Sequence, residues 1–415
     1  MRTSLVLAVA TVLVLAGCSE SPDPAPRPGA SASSAARWLV DGLNGEGLST
    51  ADRRYFSSAL SDGAQWPEVT RAVRAVVDDG PWEVVDEETK GPVARRVLRS
   101  SAGRTLLLHL ERGEGGAIDV LWFGPAVDRS VAAADVQDVR RVSSTLPVRW
   151  SAAALRVGED RAEVVGASPE DLLPMASVAK VVVAAGVARG IDDGRLSPRQ
   201  AVRVGARDQS APVTARTPAA GERRTIDELV ALMLQTSDNT ATDALLRVVG
   251  PDGVTAAWEE ATGRRWSGPF LSTKQVLQAG WGAEPLPAGA DLGDAETREV
   301  LRRVAAATVD VDPRAVTTPR WQDGLDWTAR STDIAALGAW LLEHRGLFGP
   351  QARAVLDDDF TKPGGAPGVV AELRWTFDDS GATVAVAQFA GRTTSDVGDA
   401  EGLLMLADRT LEVER

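Results

Sequence analysis

Three short segments hold residue types that could do chemistry together. Pro174-Met175-Ala176-Ser177-Val178-Ala179-Lys180 opens an apolar run with the spacing S-x-x-K. Ser237-Asp238-Asn239 follows sixty residues after Ser177, and Thr361-Lys362-Pro363-Gly364-Gly365 stands near the end. Residues three apart on a helix share a face, so the spacing predicts Ser177 one turn from Lys180. A serine at a helix N-terminus meets free N–H groups and the positive end of the dipole, which favour developing negative charge. A neutral lysine amine there can take the serine proton. Neutrality near pH 7 requires desolvation or a second cation nearby, and Lys362 is available as that cation. The neighbours Val181, Val182 and Val183 predict a buried helix, on which a lysine needs a reason. Glycines after Lys362 would let a substrate approach the backbone closely. Taken singly, each segment has a plainer reading. Ser-Asp-Asn-Thr is good helix N-cap chemistry, and Lys-Pro-Gly-Gly makes a turn. The ordered set of three points to nucleophilic catalysis.

Other chemistries have little to work with. The chain has two histidines, one cysteine and only four lysines. It contains no H-E-x-x-H or C-x-x-C, so no metal is expected. It has no G-x-S-x-G elbow, no Walker A loop and no G-x-G-x-x-G after a strand, so no cofactor is expected either. Neither histidine has a convincing serine and acid partner. A net charge of −13 argues against nucleic acid as a partner.

These segments must be positioned by a fold, and 415 residues suffice for two or three domains. Residues 1–18 read as a leader. Arg2 precedes the apolar stretch Leu5 to Ala16, and Leu15-Ala16-Gly17-Cys18 resembles the bacterial lipobox, in which the cysteine becomes the lipidated N-terminus. Cys18 is thus a candidate lipidation site. An exported protein, lipid-anchored to the outer face of the bacterial cell membrane, is the expectation. Residues 19–36, rich in proline, serine and alanine, read as a tether. Residues 37–128 read as a small α+β domain, with helical spacing at 36–43 and 66–77 and strands at 82–85, 93–98, 105–110 and 118–123. Two helices and a strand meander suggest a curved sheet over a helix, as in a nuclear-transport-factor-2-like cone. Residues 129–146 are a polar connector.

A second domain spans 147–415. Strands are expected at 148–157 and 161–165, and the S-x-x-K helix from Ser177 to about Arg189, stopped by Gly190. Thr225-Ile226-Asp227-Glu228 has the capping-box pattern and starts a helix ending near Thr236, so Ser-Asp-Asn falls between two helices. A helix from about 333 to 344, strands at 369–377 and 383–389, and a last helix at 401–414 complete it. Early strands, a helical middle and late strands predict an α+β fold in which both chain ends feed one antiparallel sheet.

From Val148 onward the chain resembles class A serine β-lactamases and related penicillin-recognising enzymes. The likeness extends through Leu172 to Lys180, Ser237 to Leu246, and Ser331-Thr332-Asp333-Ile334-Ala335-Ala336-Leu337. With a small domain ahead, the whole is similar to the β-lactamase-like esterases of clavulanate biosynthesis clusters, whose N-terminal domain resembles steroid isomerases. The resemblance implies a β-lactamase/transpeptidase-like α-β-α sandwich. It implies Ser177 as acylated nucleophile, Lys180 as its base and Ser237 as proton relay. It further implies Asn239 for a substrate amide, Lys362 for a substrate carboxylate, and an oxyanion hole from the N–H groups of Ser177 and Gly365, with Gly364 beside it. Two departures stand out. The family's E-x-x-L-N loop carries the glutamate that activates the deacylating water, yet residues 264–282 contain no acid. Pro363 also stands where a hydroxyl residue is usual. The expected activity is therefore a serine hydrolase acting through an acyl-serine on a small β-lactam or ester, with esterase ahead of efficient β-lactamase. The alternatives are a non-catalytic ligand-binding lipoprotein of the cell envelope and a D-alanyl-D-alanine peptidase.

Overall fold

The structure is a computed structural model that describes residues 28–29, 31–61, 65–101, 104–113, 115–126, 146–159, 162–211, 216–307, 311, 315–379 and 381–413. The leader with Cys18, most of the tether and all but the last residue of the connector lie outside these. The chain divides into two units, residues 1–147 with 393–406 and residues 148–392 with 407–415.

In the first unit, helix Ala32–Leu43 begins inside the stretch expected to be tether. The physical reason is a reciprocal cap. Ser31 and Ser34 each accept the other's backbone N–H, at 3.1 Å, which satisfies donors that a helix start otherwise leaves free. Strands β1 (Trp82–Lys90), β2 (Val93–Ser100), β3 (Thr105–Arg112) and β4 (Ile118–Pro125) form an antiparallel meander in that order. Leu39, Leu43, Val73, Leu98, Leu108 and Ile118 meet in its core. Asn44 ends the first helix by clamping Trp82, donating to its carbonyl at 2.8 Å and accepting its N–H at 2.6 Å. Residues 393–406 belong to this unit although they follow the second domain in sequence. Asp399 there pairs with Arg95 of β2 at 3.2 Å.

The second unit is a β-lactamase/transpeptidase-like α+β fold. Strands β5 (Val148–Arg156) and β6 (Glu163–Val165) come early, and the short β7 (Leu173–Pro174), β8 (Ala201–Arg203), β9 (Arg223–Thr225) and β10 (Thr328–Ala329) lie between. Strands β11 (Phe360–Ala366), β12 (Val369–Asp378) and β13 (Gly381–Gly391) come late. The main sheet has the order β11-β12-β13-β5-β6 and is antiparallel throughout. Both chain ends feed it, as the alternation of early and late apolar runs predicts. Val148 pairs with Gly391 and Arg156 with Thr383, and the rings of Trp150 and Phe389 stack across that register at 5.5 Å.

One face of the sheet packs on helix Ser331–His344. A side chain at Gly338 would collide with Val384 and Leu373 of that face. On the opposite face Arg374 reaches Asp408 at 2.8 Å, near the end of helix Ala400–Val413.

Helix Lys180–Asp192 is buried from Lys180 through Ala188. Its three consecutive valines disfavour helix locally, and burial on all sides outweighs that preference. The expected stop at Gly190 does not occur, and the helix runs on to Asp192. Gly190 is there for space instead, since a β-carbon would lie 2.7 Å from Leu196. Lys362, expected just before a strand, lies within one, at the third position of β11.

Candidate active site

The structure brings Ser177, Lys180, Ser237, Asn239, Lys362, Gly364 and Gly365 to one place in the second unit. Ser177 does not open an α-helix. It sits in a single 3-10 turn, Ala176–Ala179, from which the α-helix starts at Lys180. Ala176, just before the nucleophile, has a left-handed backbone with φ +44°, a conformation that costs a non-glycine residue about 1–3 kcal/mol. The serine remains partly exposed while Lys180 is 2% exposed.

Lys180 Nζ lies 2.9 Å from Ser177 Oγ, 2.9 Å from both the carbonyl oxygen and Oγ of Ser237, and 2.7 Å from Asn239 Oδ1. Two of these four partners, the Ser237 carbonyl and Asn239 Oδ1, can only accept. A neutral amine has two hydrogens for those and one lone pair left over. Ser177 O–H can donate to that lone pair, which is the arrangement a general base needs. Burial lowers the Lys180 amine to about 7, and the nearby Lys362 charge acts in the same direction. Lys362 is fully buried, and desolvation brings its own amine down to about 8. Its Nζ donates to Ser237 Oγ at 2.9 Å and to the Pro363 carbonyl at 3.0 Å. Ser237 Oγ thus bridges the two amines.

Both readings of Ser-Asp-Asn hold at once. Asp238 is the N-cap of helix Asn239–Val249, accepting Ala241 N–H at 2.7 Å and Thr217 Oγ1 at 2.6 Å. That cap fixes Ser237 with φ +57°, so that its carbonyl and hydroxyl both face Lys180. Asn239 is oriented from its other end, with Nδ2 donating to the Ala211 carbonyl.

Strand β11 is an edge strand, and its residues alternate. Lys362 and Gly364 are buried while Pro363 and Gly365 are exposed. A β-carbon at Gly364 would meet the Met175 carbonyl oxygen and the amide nitrogens of Ser177 and Val178. One at Gly365 would meet nothing within 4 Å. Gly364 lets strand and nucleophile turn touch, and Gly365 faces open space where a substrate carbonyl can approach.

The acid-free stretch 264–282 contains helix Thr273–Trp281, capped by Ser272. Thr273, Phe270, Leu271 and Trp327 line a small cavity shared with Ser177 and Lys180, and no carboxylate lines it. A further acid acts on Lys180 that the motifs do not announce. Asp243, one turn beyond Asn239 on the same helix face, is buried, and desolvation raises its carboxyl to about 6. It accepts Thr273 N–H and Thr273 Oγ1, each at 2.8 Å, and Lys274 N–H at 3.0 Å. Its i+4 spacing from Asn239 could have drawn attention to it. Glu259 and Glu260 stay out of the site on helix Pro251–Thr262, where Glu260 pairs with Arg189 at 2.8 Å.

Residues 135–276, about a third of the chain, match the family model described as the Beta-lactamase enzyme family. That span includes Ser177, Lys180, Ser237 and Asn239 and ends before Lys362. Among solved structures, the chain is similar to a mutant of PBP-A in an acyl-enzyme complex with penicillin G, at 14% identity and TM-score 0.44, covering 66% of this chain and 94% of that one. It is similar to a β-lactamase from Sphaerobacter thermophilus at 16% identity and TM-score 0.44, over 68% and 96% of the two chains. The chromosome-encoded β-lactamase of Vibrio parahaemolyticus gives 15% identity and TM-score 0.45, over 67% and 98%. No curated protein matches.

The contact at Gly364 generates a prediction. Gly364→Ala forces its methyl group into the Met175 carbonyl and the Ser177 amide, so acylation by a reactive ester should slow by about 100-fold. Stopped-flow acylation and thermal melting check this. A variant that keeps the wild-type rate would show that the close approach does not position Ser177.

Proposed function

We propose that the second unit is an acyl-serine hydrolase for a small ester or β-lactam, and that it turns over esters better than β-lactams. The observation that carries this reading is the Lys180 amine, held between Ser177 Oγ, Ser237 and Asn239 with two partners that can only accept.

In acylation, Ser177 Oγ attacks the substrate carbonyl carbon as its proton passes to Lys180. The oxyanion settles against the N–H groups of Ser177 and Gly365. Lys180 returns the proton through Ser237 Oγ to the leaving oxygen or nitrogen, the carbonyl–leaving-group bond breaks, and acyl-Ser177 remains. Asn239 would hold a substrate amide, and Lys362 would meet a carboxylate without help from a hydroxyl at Pro363.

The preference for esters rests on deacylation. An ester's alcohol departs and leaves room for water, which the Lys180–Ser237 pair can activate by running the same proton path again. A β-lactam's leaving nitrogen stays tethered to the acyl group beside Ser237. Its hydrolysis needs a separate base, and the cavity beside Ser177 carries no carboxylate. Asp243 cannot serve, because its oxygens already hold Thr273 and Lys274.

We further propose export and lipid anchoring through Cys18, supported by the apolar stretch before it and by Leu-Ala-Gly-Cys. Cys18→Ser should move the protein from the membrane fraction to the soluble fraction of the producing cell. Retention in the membrane would rule the anchor out.

The chemistry has two tests. With a chromogenic ester the protein should turn over continuously. With a chromogenic cephalosporin it should give a burst near one equivalent and a mass increase on Ser177. Ser177→Ala should reduce ester turnover by at least about a thousandfold. Neither colour nor adduct from folded protein would favour the ligand-binding reading instead. The acylation rate should also be bell-shaped in pH. It should rise through about 7 as Lys180 loses its proton. For an anionic substrate it should fall through about 8 as Lys362 loses its charge. A flat profile between pH 6 and 9 would remove Lys180 as the base.

A further inference from the structure

We propose that Asp326 is a positioning residue for the nucleophile, its carboxyl oxygen holding the Ala176 amide and thereby the turn that aims Ser177. This rests on the acyl-serine reading above and adds a residue to it that none of the three motifs contains.

The geometry is direct. Asp326 Oδ1 accepts the Ala176 N–H at 2.9 Å. Ala176 is the residue with φ +44°, and Ser177 is next in the chain. A left-handed alanine persists only where its surroundings over-determine it. Three further contacts fasten the same approach. Met175 N–H donates to the Trp327 carbonyl at 2.9 Å. Strand β7 pairs with β10, Pro174 opposite Thr328. The buried Gln388 Nε2 donates to the Leu173 carbonyl at 2.8 Å and lies 3.3 Å from that of Ala329. These hold residues 173–175. Asp326 holds the next amide, where the chain turns left-handed.

The carboxyl has no other evident employment. No ion pair involves Asp326 among the described residues, and only backbone amides of Ala176, Trp327 and Met175 oppose its desolvation, which pushes it up to about 7. Asp326 as a residue is half-buried, and a desolvated carboxyl without a cation is unfavourable unless its oxygen is needed as an acceptor. Without that oxygen the Ala176 amide loses its partner, and the turn can relax toward an extended backbone. That would rotate the Ser177 N–H away from the oxyanion position and Oγ away from Lys180. Asp326 does not touch the reacting atoms. It acts through Ala176.

The test compares three substitutions by acylation kinetics with a chromogenic ester and by hydrogen exchange of the segment 172–181. Asp326→Asn keeps an acceptor oxygen in place and should acylate within about fivefold of wild type, while Asp326→Ala should acylate at least about tenfold more slowly with unchanged pre-covalent binding. Exchange in 172–181 should quicken in the alanine variant alone of those two. Asp326→Glu keeps the charge but displaces the oxygen by one methylene. It should behave like the alanine variant and serves if alanine prevents folding. Wild-type acylation in the alanine or glutamate variant overturns the proposal, as does an asparagine variant as slow as alanine. If the wild type takes no acyl group, the acyl-serine reading fails, and exchange still decides this proposal: unchanged protection of 172–181 in Asp326→Ala, or in Asp326→Glu if alanine does not fold, overturns it.

Discussion

The constraint on which this site turns is the burial of two primary amines side by side inside protein. An ammonium stripped of water is costly, and a second amine nearby adds to that cost. Lys180 and Lys362 are both essentially buried, the charge of Lys362 makes that of Lys180 harder to hold, and Ser237 Oγ joins them at 2.9 Å from each. Burial thereby brings the Lys180 amine down to about 7 and that of Lys362 to about 8. Asp243 and Asp238 pull Lys180 the other way, toward protonation, and lose to desolvation. The balance is therefore set by depth of burial more than by any one ion pair.

That balance requires a frame which cannot yield. The sheet supplies it through an edge strand that brings Lys362 in from one side, while the S-x-x-K turn approaches from the other. The two meet at Gly364, where no side chain fits. Strain collects where the frame is tightest. Ala176 and Ser237 are the non-glycine residues with positive φ, among the described residues; Ser237 contacts the amine and Ala176 precedes Ser177, which also does. Each is held by an aspartate at the same kind of place. Asp326 accepts an amide at the nucleophile turn, and Asp238 caps the helix after Ser237. Left-handed residues cost stability, and here the surrounding hydrogen bonds offset that cost while orienting the reacting groups.

The polar groups behind the serine are equally occupied. The Asp243 carboxylate ties down the start of helix Thr273–Trp281, and the side chains lining the small cavity are largely apolar, Phe270, Leu271 and Trp327 among them. Among the described residues, the ones lining the cavity shared by Ser177 and Lys180 include no carboxylate.

The sequence by itself singled out Ser177, Lys180, Ser237, Asn239 and Lys362 as one group and foretold the order of elements. With four lysines in 415 residues, a lysine in an apolar helix asked for a reason, and the ordered set of three segments supplied one. Alternating strands at both ends of the second domain foretold the antiparallel sheet, because period-two patterns follow from strand geometry. Helix limits were less legible. Gly190 looks like a stop and is a packing position, since sequence shows a missing side chain but not the neighbour that needs the room. Only the tertiary structure decided that Asn44 is a structural clamp on Trp82. Only it brought residues 393–406 into the first unit, and only it set Asp326 against Ala176, 150 residues apart. Motifs record residues whose spacing is local. A carboxyl that meets a backbone amide across the fold leaves no period and no spacing, because the amide it holds belongs to whatever residue stands there.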